Sequence, residues 1–177
     1  MRPFILQHFD HFLCGFVFFA RVGDVLTTWL ATPTMRHEAN PIAKKLGWTY
    51  AVATIFTCLF AYYNRAVAFA LLGISLCVCA SNASKIWVAR TMGEEAYHAQ
   101  SLALLRNSGL ASGIFFNCLP AVFYIVLGLV FRFLDDEPRT WGFHLGTGVM
   151  AFGFAILVFY PKKFCRLYAE TRSNSNA

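Results

Sequence analysis

Apolar runs about as long as a bilayer core is thick recur five times along this chain, and that rhythm constrains the fold more than any single residue does. In lipid no backbone amide or carbonyl can go unpaired, so a single run of about 20 apolar residues must be a helix. The predicted spans are residues 12–31, 46–63, 66–88, 109–134 and 141–160. Their breaks are chemical. Thr32-Pro33-Thr34 closes the first, because the residue before a proline is pushed out of the helical region. Asn40-Pro41 reads as a helix start: Asn caps the free amides and Pro takes the first helical position, where its missing N–H costs nothing. Asn64-Arg65 leaves only a tight turn between spans two and three, which makes them an antiparallel hairpin. Asp135-Asp136-Glu137-Pro138-Arg139 forms a charged turn before the last span, and Pro161-Lys162-Lys163 is expected to close it. Residues 90–107 are different. They mix Glu94, Glu95, His98, Gln100 and Arg106 with Met92, Ala96, Leu102 and Leu105, which suits an amphipathic helix on the membrane surface, with a surface loop as the alternative.

The expected fold class is therefore all-α: a polytopic transmembrane helix bundle of about five spans. Four or six follow if the first run, which reaches back to Phe4, divides differently. With 177 residues, 58% of them hydrophobic, the chain has no room for a separate soluble domain. One transmembrane domain over residues 1–170 is expected, then a disordered polar tail at 171–177. The N-terminal run is broken by Gln7, His8, Asp10 and His11 and is followed by no small-x-small cleavage site, so it is read as retained.

Net charge is +6, but the basic residues gather at span ends, where they meet lipid head groups; nucleic acid is not an expected partner. Five spans put Arg36, Lys44, Lys45, Arg90, Arg106, Lys162, Lys163, Arg166 and Arg172 on one side, and Arg2, Arg65, Arg132 and Arg139 on the other. The positive-inside rule then predicts a cytoplasmic C-terminus and an external N-terminus. Trp48, Tyr50, Tyr62, Tyr63, Trp87, Trp141 and Tyr160 fall near span ends, as aromatic belts do. None of the six cysteines forms a CxxC pair; they read as small hydrophobes in helix contacts.

One span breaks its own apolar pattern. Arg21, Asp24 and Thr28 share a helix face, since residues three and four apart are neighbours. Arg and Asp each cost about 2.5–3.5 kcal/mol at mid-span, whereas each Leu, Ile, Phe or Val returns only about 0.3–0.6 kcal/mol. The stripe must therefore point into the bundle, either as a salt pair that orients the helix or as an ion, proton or substrate site. The polar cluster predicted around it is Arg21, Asp24, Thr27, Thr28, Glu38, Asn40, Asn82 and Lys85. Asn40 is explained by capping, and Glu38 by a helix N-terminus, within the polar string His37-Glu38-Ala39-Asn40-Pro41. Read more sharply, Asp24, Thr28, Glu38 and Asn40 present oxygens to one pocket suited to a hard cation. Ser75, Cys79, Asn82 and Lys85 give the third span a polar edge, and Lys85 is expected to pair with Glu38 or Asp24 or to snorkel to the interface. Which metal, if any, the cluster takes is not legible, and no cofactor is expected.

Gly109-x-x-x-Gly113 and Gly142-x-x-x-Gly146, with Gly153 continuing the latter face, let helices approach closely within the fold or between copies. No P-loop, GxSxG or HExxH string is present. Ser112 and His144 echo fragments of a rhomboid-type serine protease, but they begin consecutive antiparallel spans, most of a bilayer apart, whereas a nucleophile and its base need about 3 Å. His8 and His11 read as interfacial residues.

Gly23-Asp24-Val25-Leu26-Thr27-Thr28 followed by Glu38-Ala39-Asn40-Pro41 resembles a family of small prokaryotic polytopic membrane proteins of unknown function, with an Asp/Thr-Thr span followed by Glu-x-Asn-Pro. The resemblance covers about a quarter of the chain, residues 21–63. It implies a bacterial or archaeal inner-membrane protein whose polar residues matter together, and it implies no reaction. The function expected is that of a non-enzymatic bundle or membrane-complex component, with the bilayer and a second copy or another membrane protein as partners. The alternative is a small transporter or cation-binding protein using Asp24 and Glu38, and an intramembrane enzyme ranks third.

Overall fold

A computed structural model describes residues 8–35, 38–134 and 140–175, with side chains through Arg172. The charged turn at 135–139, His37, and the N-terminal start at Phe4 lie outside the described residues. Every regular element among those described is helical: α1 (Phe9–Ala31), α2 (Pro41–Ala53), a 3-10 segment (Thr54–Leu59), α3 (Phe60–Tyr63), α4 (Arg65–Met92), α5 (Glu94–Phe133) and α6 (Trp141–Ser175). Five helical stretches, with α2 to α3 counted as one, are long and apolar enough to cross a membrane.

The helix boundaries follow from local chemistry. Asn40 Oδ1 accepts from the Ile42 amide at 3.0 Å, with Pro41 in the first turn, so the Asn-Pro start forms as read from sequence. Asn64, the single non-helical residue between α3 and α4, accepts from the Val67 amide at 3.2 Å and caps α4. Three glycines supply a backbone that other residues resist: Gly47 (φ 65°) bends α2, Gly93 (φ 82°) separates α4 from α5, and Gly109 (φ 79°, ψ 160°) divides α5. Residues 94–108 are consequently a helical arm, distinct from the span that follows Gly109.

Two expectations are corrected here. Pro161 does not end the last helix, which runs on to Ser175 and takes in residues 171–175. A proline inside a helix removes one hydrogen bond and kinks the axis. That cost is offset where the following turns pack: Leu167 is buried, and Glu170 meets His98 of the arm at 3.3 Å. Gly109 is the second. No atom lies within 4 Å of the place a Cβ would occupy, so its task is the positive φ, not a helix contact.

The elements stack in a row. The 3-10 segment and α3 lie on α1, α1 on α4, α4 on α6 and α6 on α5. Glycine sets the tightest of these contacts. A Cβ on Gly146 would meet the Gly128 carbonyl oxygen at 2.6 Å, and one on Gly153 would meet that of Ala121 at 2.8 Å, which joins α6 to α5 backbone to backbone. Gly73 and Gly148 do the same between α4 and α6, against Leu145 and Ala70. Outward, large apolar side chains are bare: Phe19, Phe123 and Phe133 are 73%, 70% and 81% exposed. An apolar exterior this extensive is what a helix bundle presents to lipid, not to water.

Candidate functional site

The mid-span charges of α1, Arg21 and Asp24, turn inward, as their cost requires. Arg21 Nη1 donates to Asp24 Oδ2 at 2.7 Å and to Ser75 Oγ of α4 at 3.2 Å, and Arg21 Nε donates to the Thr54 carbonyl at 3.4 Å. Thr54 opens the 3-10 segment. Thr28 Oγ1 approaches Asp24 Oδ1 at 3.5 Å and accepts from Asn82 Nδ2 at 2.8 Å. Cys79 Sγ donates to the Ala20 carbonyl at 3.6 Å. One run of polar contacts thus links the 3-10 segment, α1 and α4, and both members of the ion pair keep only 13% of their side-chain surface exposed.

This seam borders a cavity of about 810 Å³. Among its lining residues are Arg21, Asp24, Thr28, Glu38, Asn40, Asn82 and Lys85, seven of the eight residues the sequence singles out. Thr27 is the exception. A helix turns about 100° per residue, so Thr27 lies off the face that carries Thr28, beside Cys79 of α4, and its Oγ1 donates to the Asp24 carbonyl at 3.1 Å. Glu38 Oε1 accepts from the Asn40 amide at 2.7 Å, which ties these two residues into one turn.

Lys85 departs from expectation. Its Nζ donates to Tyr160 Oη at 3.0 Å and to Ser81 Oγ at 3.3 Å; neither Glu38 nor Asp24 is the hydrogen-bond partner. The reason is packing: α4 lies directly on α6, which brings Tyr160 to the lysine. Lys163, one turn beyond Tyr160, also lines the cavity. From sequence, Tyr160 and Lys163 are legible only as a belt aromatic and a positive-inside charge. Their spacing of three on one helix is the one signal that they act together.

The arm at 94–108 closes one side of the cavity with Tyr97, Gln100, Ser101, Leu104 and Leu105. It is fastened at its start, where Glu94 accepts from Thr32 Oγ1 at 2.9 Å and Thr34 Oγ1 at 2.7 Å, and again through His98 and Glu170. Leu105 is buried against Gly113, across the Gly109 break. The arm's amphipathic character is readable in its sequence; its role in the cavity is not.

Other constellations stay apart. The register of α5 against α6 places His144 opposite Val130, about 18 residues and about 27 Å of helix from Ser112, so that pair forms no nucleophile and base. His11 Nδ1 lies 2.9 Å from Tyr62 Oη. Among the described residues no group of three or more His, Cys, Asp and Glu gathers as metal ligands.

Fold and site together define a class: an all-helical bundle with membrane-length apolar helices around a polar-lined cavity. Compared with known families, curated proteins and solved structures, the chain finds no match in any of the three.

Proposed function

We propose that this chain is a multi-pass membrane protein that binds a small ligand in the cavity between α1, α4, α6 and the arm, as a carrier or receptor. The observation behind this reading is the convergence of seven polar side chains, from α1, α4 and the turn before α2, on one cavity of about 810 Å³. A purely structural salt pair needs no such space. Ligand sites are concave, mostly apolar, about 300–1,000 Å³, and carry a few placed polar groups. The wall here has that make-up, with Val25, Val78, Phe152 and Ile156 beside the polar set. Arg21, held by Asp24, serves the site by fixing its floor, since its contacts to Ser75 and Thr54 lock three elements together.

We place the protein in a bacterial or archaeal inner membrane with its C-terminus in the cytoplasm. The excess of Lys and Arg in the loops on that side supports this orientation. The Asp/Thr-Thr and Glu-x-Asn-Pro resemblance supports the source, and the Glu38–Asn40 turn gives that motif a shared structural task.

The test is ligand-dependent thermal stabilisation of the detergent-solubilised protein across a panel of ions, metabolites and lipids. The comparison is Ala155→Trp, which fills the cavity from its α6 wall. At a hundredfold excess over Kd, a true ligand stabilises the wild type by about 2.7 kcal/mol. Ala155→Trp is expected to fold and to lose that gain. A panel without any stabilising compound, or a gain that survives Ala155→Trp, contradicts a binding role for the cavity.

A further inference from the structure

One pair of cysteines does more than fill space between helices. The antiparallel register of α1 against the chain from Thr54 to Arg65 is fixed by contacts at both ends. Arg65 donates to Asp10 at 2.6 Å and His11 Nδ1 lies 2.9 Å from Tyr62 Oη at one end, and Arg21 Nε donates to the Thr54 carbonyl at 3.4 Å at the other. Between them that register sets Cys14 of α1 opposite Cys58 of the 3-10 segment. Cys58 is buried with Leu13, Val17, Ala61 and Ala68, and Cys14 packs against the same cluster. The Cys14 side chain interacts with both the Cys58 thiol and the Tyr62 hydroxyl, so two thiols meet across this helix interface.

The two positions differ as an entering thiol differs from a resolving one. Cys14 is half-buried and lies about five residues, or about 7.5 Å of helix, inside the end of α1. Its neighbour Tyr62 is exposed and bonded to His11, which gives the thiol proton a polar way out. Cys58 is buried, where a thiol stays inert unless a neighbour brings the reaction to it. Cys77, by contrast, is buried among Ala121, Val149, Phe152 and Ile156, with no second thiol in that cluster. On the orientation proposed above, the Cys14 end of the bundle faces away from the cytoplasm, where disulfides persist.

We propose that Cys14 and Cys58 are a redox pair that closes reversibly to a disulfide by exchange with a small disulfide. The Cys14 thiolate attacks one sulfur of the incoming disulfide and releases its other half as a thiolate. The Cys58 thiolate then attacks the Cys14 sulfur and releases the second half. The two protons given up by the cysteines end on the two released thiols; the protein loses two electrons and the incoming disulfide gains them. The bond pins the 3-10 segment, whose hydrogen bonds are less well aligned than those of an α-helix, to α1. Thr54 of that segment holds Arg21, so closure also fixes the floor of the cavity.

The experiment treats the full chain in dodecyl maltoside with dithiodipyridine, a small uncharged disulfide that enters micelles. Remaining thiols are then alkylated in denaturant and read cysteine by cysteine by peptide mass spectrometry. Alkylation at Cys14 and Cys58 is expected to fall at least about tenfold, with a linked pair of peptides appearing, dithiothreitol reversing both, and Cys77 staying alkylated. The oxidised protein should melt at least about 3 °C higher. Cys58→Ser, checked for folding in its reduced form, should instead carry thiopyridine on Cys14 and show no such rise. Cys14→Ser should leave Cys58 open to alkylation. Both thiols left free in the wild type, or Cys14 left with a bound thiopyridine that Cys58 does not displace, overturns the pair. Linkage of either one to a different cysteine overturns the assignment. Linkage without a rise in melting temperature overturns the pinning of the 3-10 segment. Detergent removes sidedness, so these results stand or fall apart from the orientation and from any ligand.

Discussion

Two helix interfaces in this protein are built on opposite principles. Where α5 meets α6, glycines let backbone touch backbone: Gly128 against Gly146, Ala121 against Gly153. Where α1 meets α4, the contact is made by side chains that hydrogen-bond: Arg21 to Ser75, Asn82 to Thr28, Cys79 to Ala20. Lipid tails are as apolar as a leucine, so helices in a membrane gain little from burying apolar surface against each other. Close packing and polar contacts are the two remaining ways to hold them together, and this chain uses one at each place. The glycine interface leaves no room for anything else. The polar interface borders open space, and three of the residues that join the helices, Arg21, Thr28 and Asn82, also line the cavity. On the proposed binding role, stability and binding are separable on the α5–α6 side and entangled on the α1–α4 side.

Substitutions can break this contrast, and the largest effect belongs to the glycine interface. Gly128→Leu forces a side chain into Gly146 and Met150, where the nearest contacts are largely main-chain atoms that cannot give way. A loss above about 3 kcal/mol is expected, at or beyond the top of the usual range for overpacking. Reversible unfolding in mixed micelles measures it. Any ligand shift should persist in whatever protein remains folded, because Gly128 does not line the cavity.

Next comes Asp24→Asn, which strands the Arg21 guanidinium in a part-buried setting and should cost about 3 kcal/mol by the same assay. The sharper version replaces the pair together, Arg21→Met with Asp24→Leu. An apolar pair of similar volume is often neutral for stability. The double variant should therefore regain most of the lost stability and yet fail to bind ligand. Recovery of both would reduce the pair to a structural device.

A smaller loss, about 2 kcal/mol, is expected for Gly109→Ala, whose φ of 79° and ψ of 160° only glycine adopts readily. This break aims the arm over the cavity, so ligand affinity should fall together with melting temperature, unlike at Gly128. Smallest is Asn82→Ala. Polar contacts between membrane helices average about 0.6 kcal/mol, and Asn82 contributes one to Thr28.

Much of this contrast is written in local sequence. The stripe Arg21, Asp24 and Thr28 follows from helical spacing and the cost of charge in lipid, and both are local rules. Asn40 and Asn64 announce themselves as caps for the same reason. Pairings between distant helices are not legible in that way. Lys85 finds Tyr160, 75 residues away, because α4 lies on α6, and no local pattern encodes that choice. Pro161 misleads because a breaker acts through one lost hydrogen bond, while the continuing helix is held by Leu167 and Glu170 against the rest of the fold. Gly109 misleads differently. Its spacing to Gly113 matches a packing motif, and a positive φ leaves no mark in sequence other than glycine itself.

Labelling rates at single cysteines in an otherwise cysteine-free chain test most directly whether the polar seam faces an accessible cavity. Ser81→Cys sits on the cavity wall, and Val126→Cys sits on the bare outer face of α5. With a small, charged thiosulfonate reagent, Ser81→Cys should react at least about tenfold faster than Val126→Cys, since a thiol must ionise to react and does so only where water reaches it. Adding Ala155→Trp should slow the first and leave the second unchanged. Equal, slow rates at both positions would mean that the space is dry and closed, and the polar residues would then be scaffolding alone.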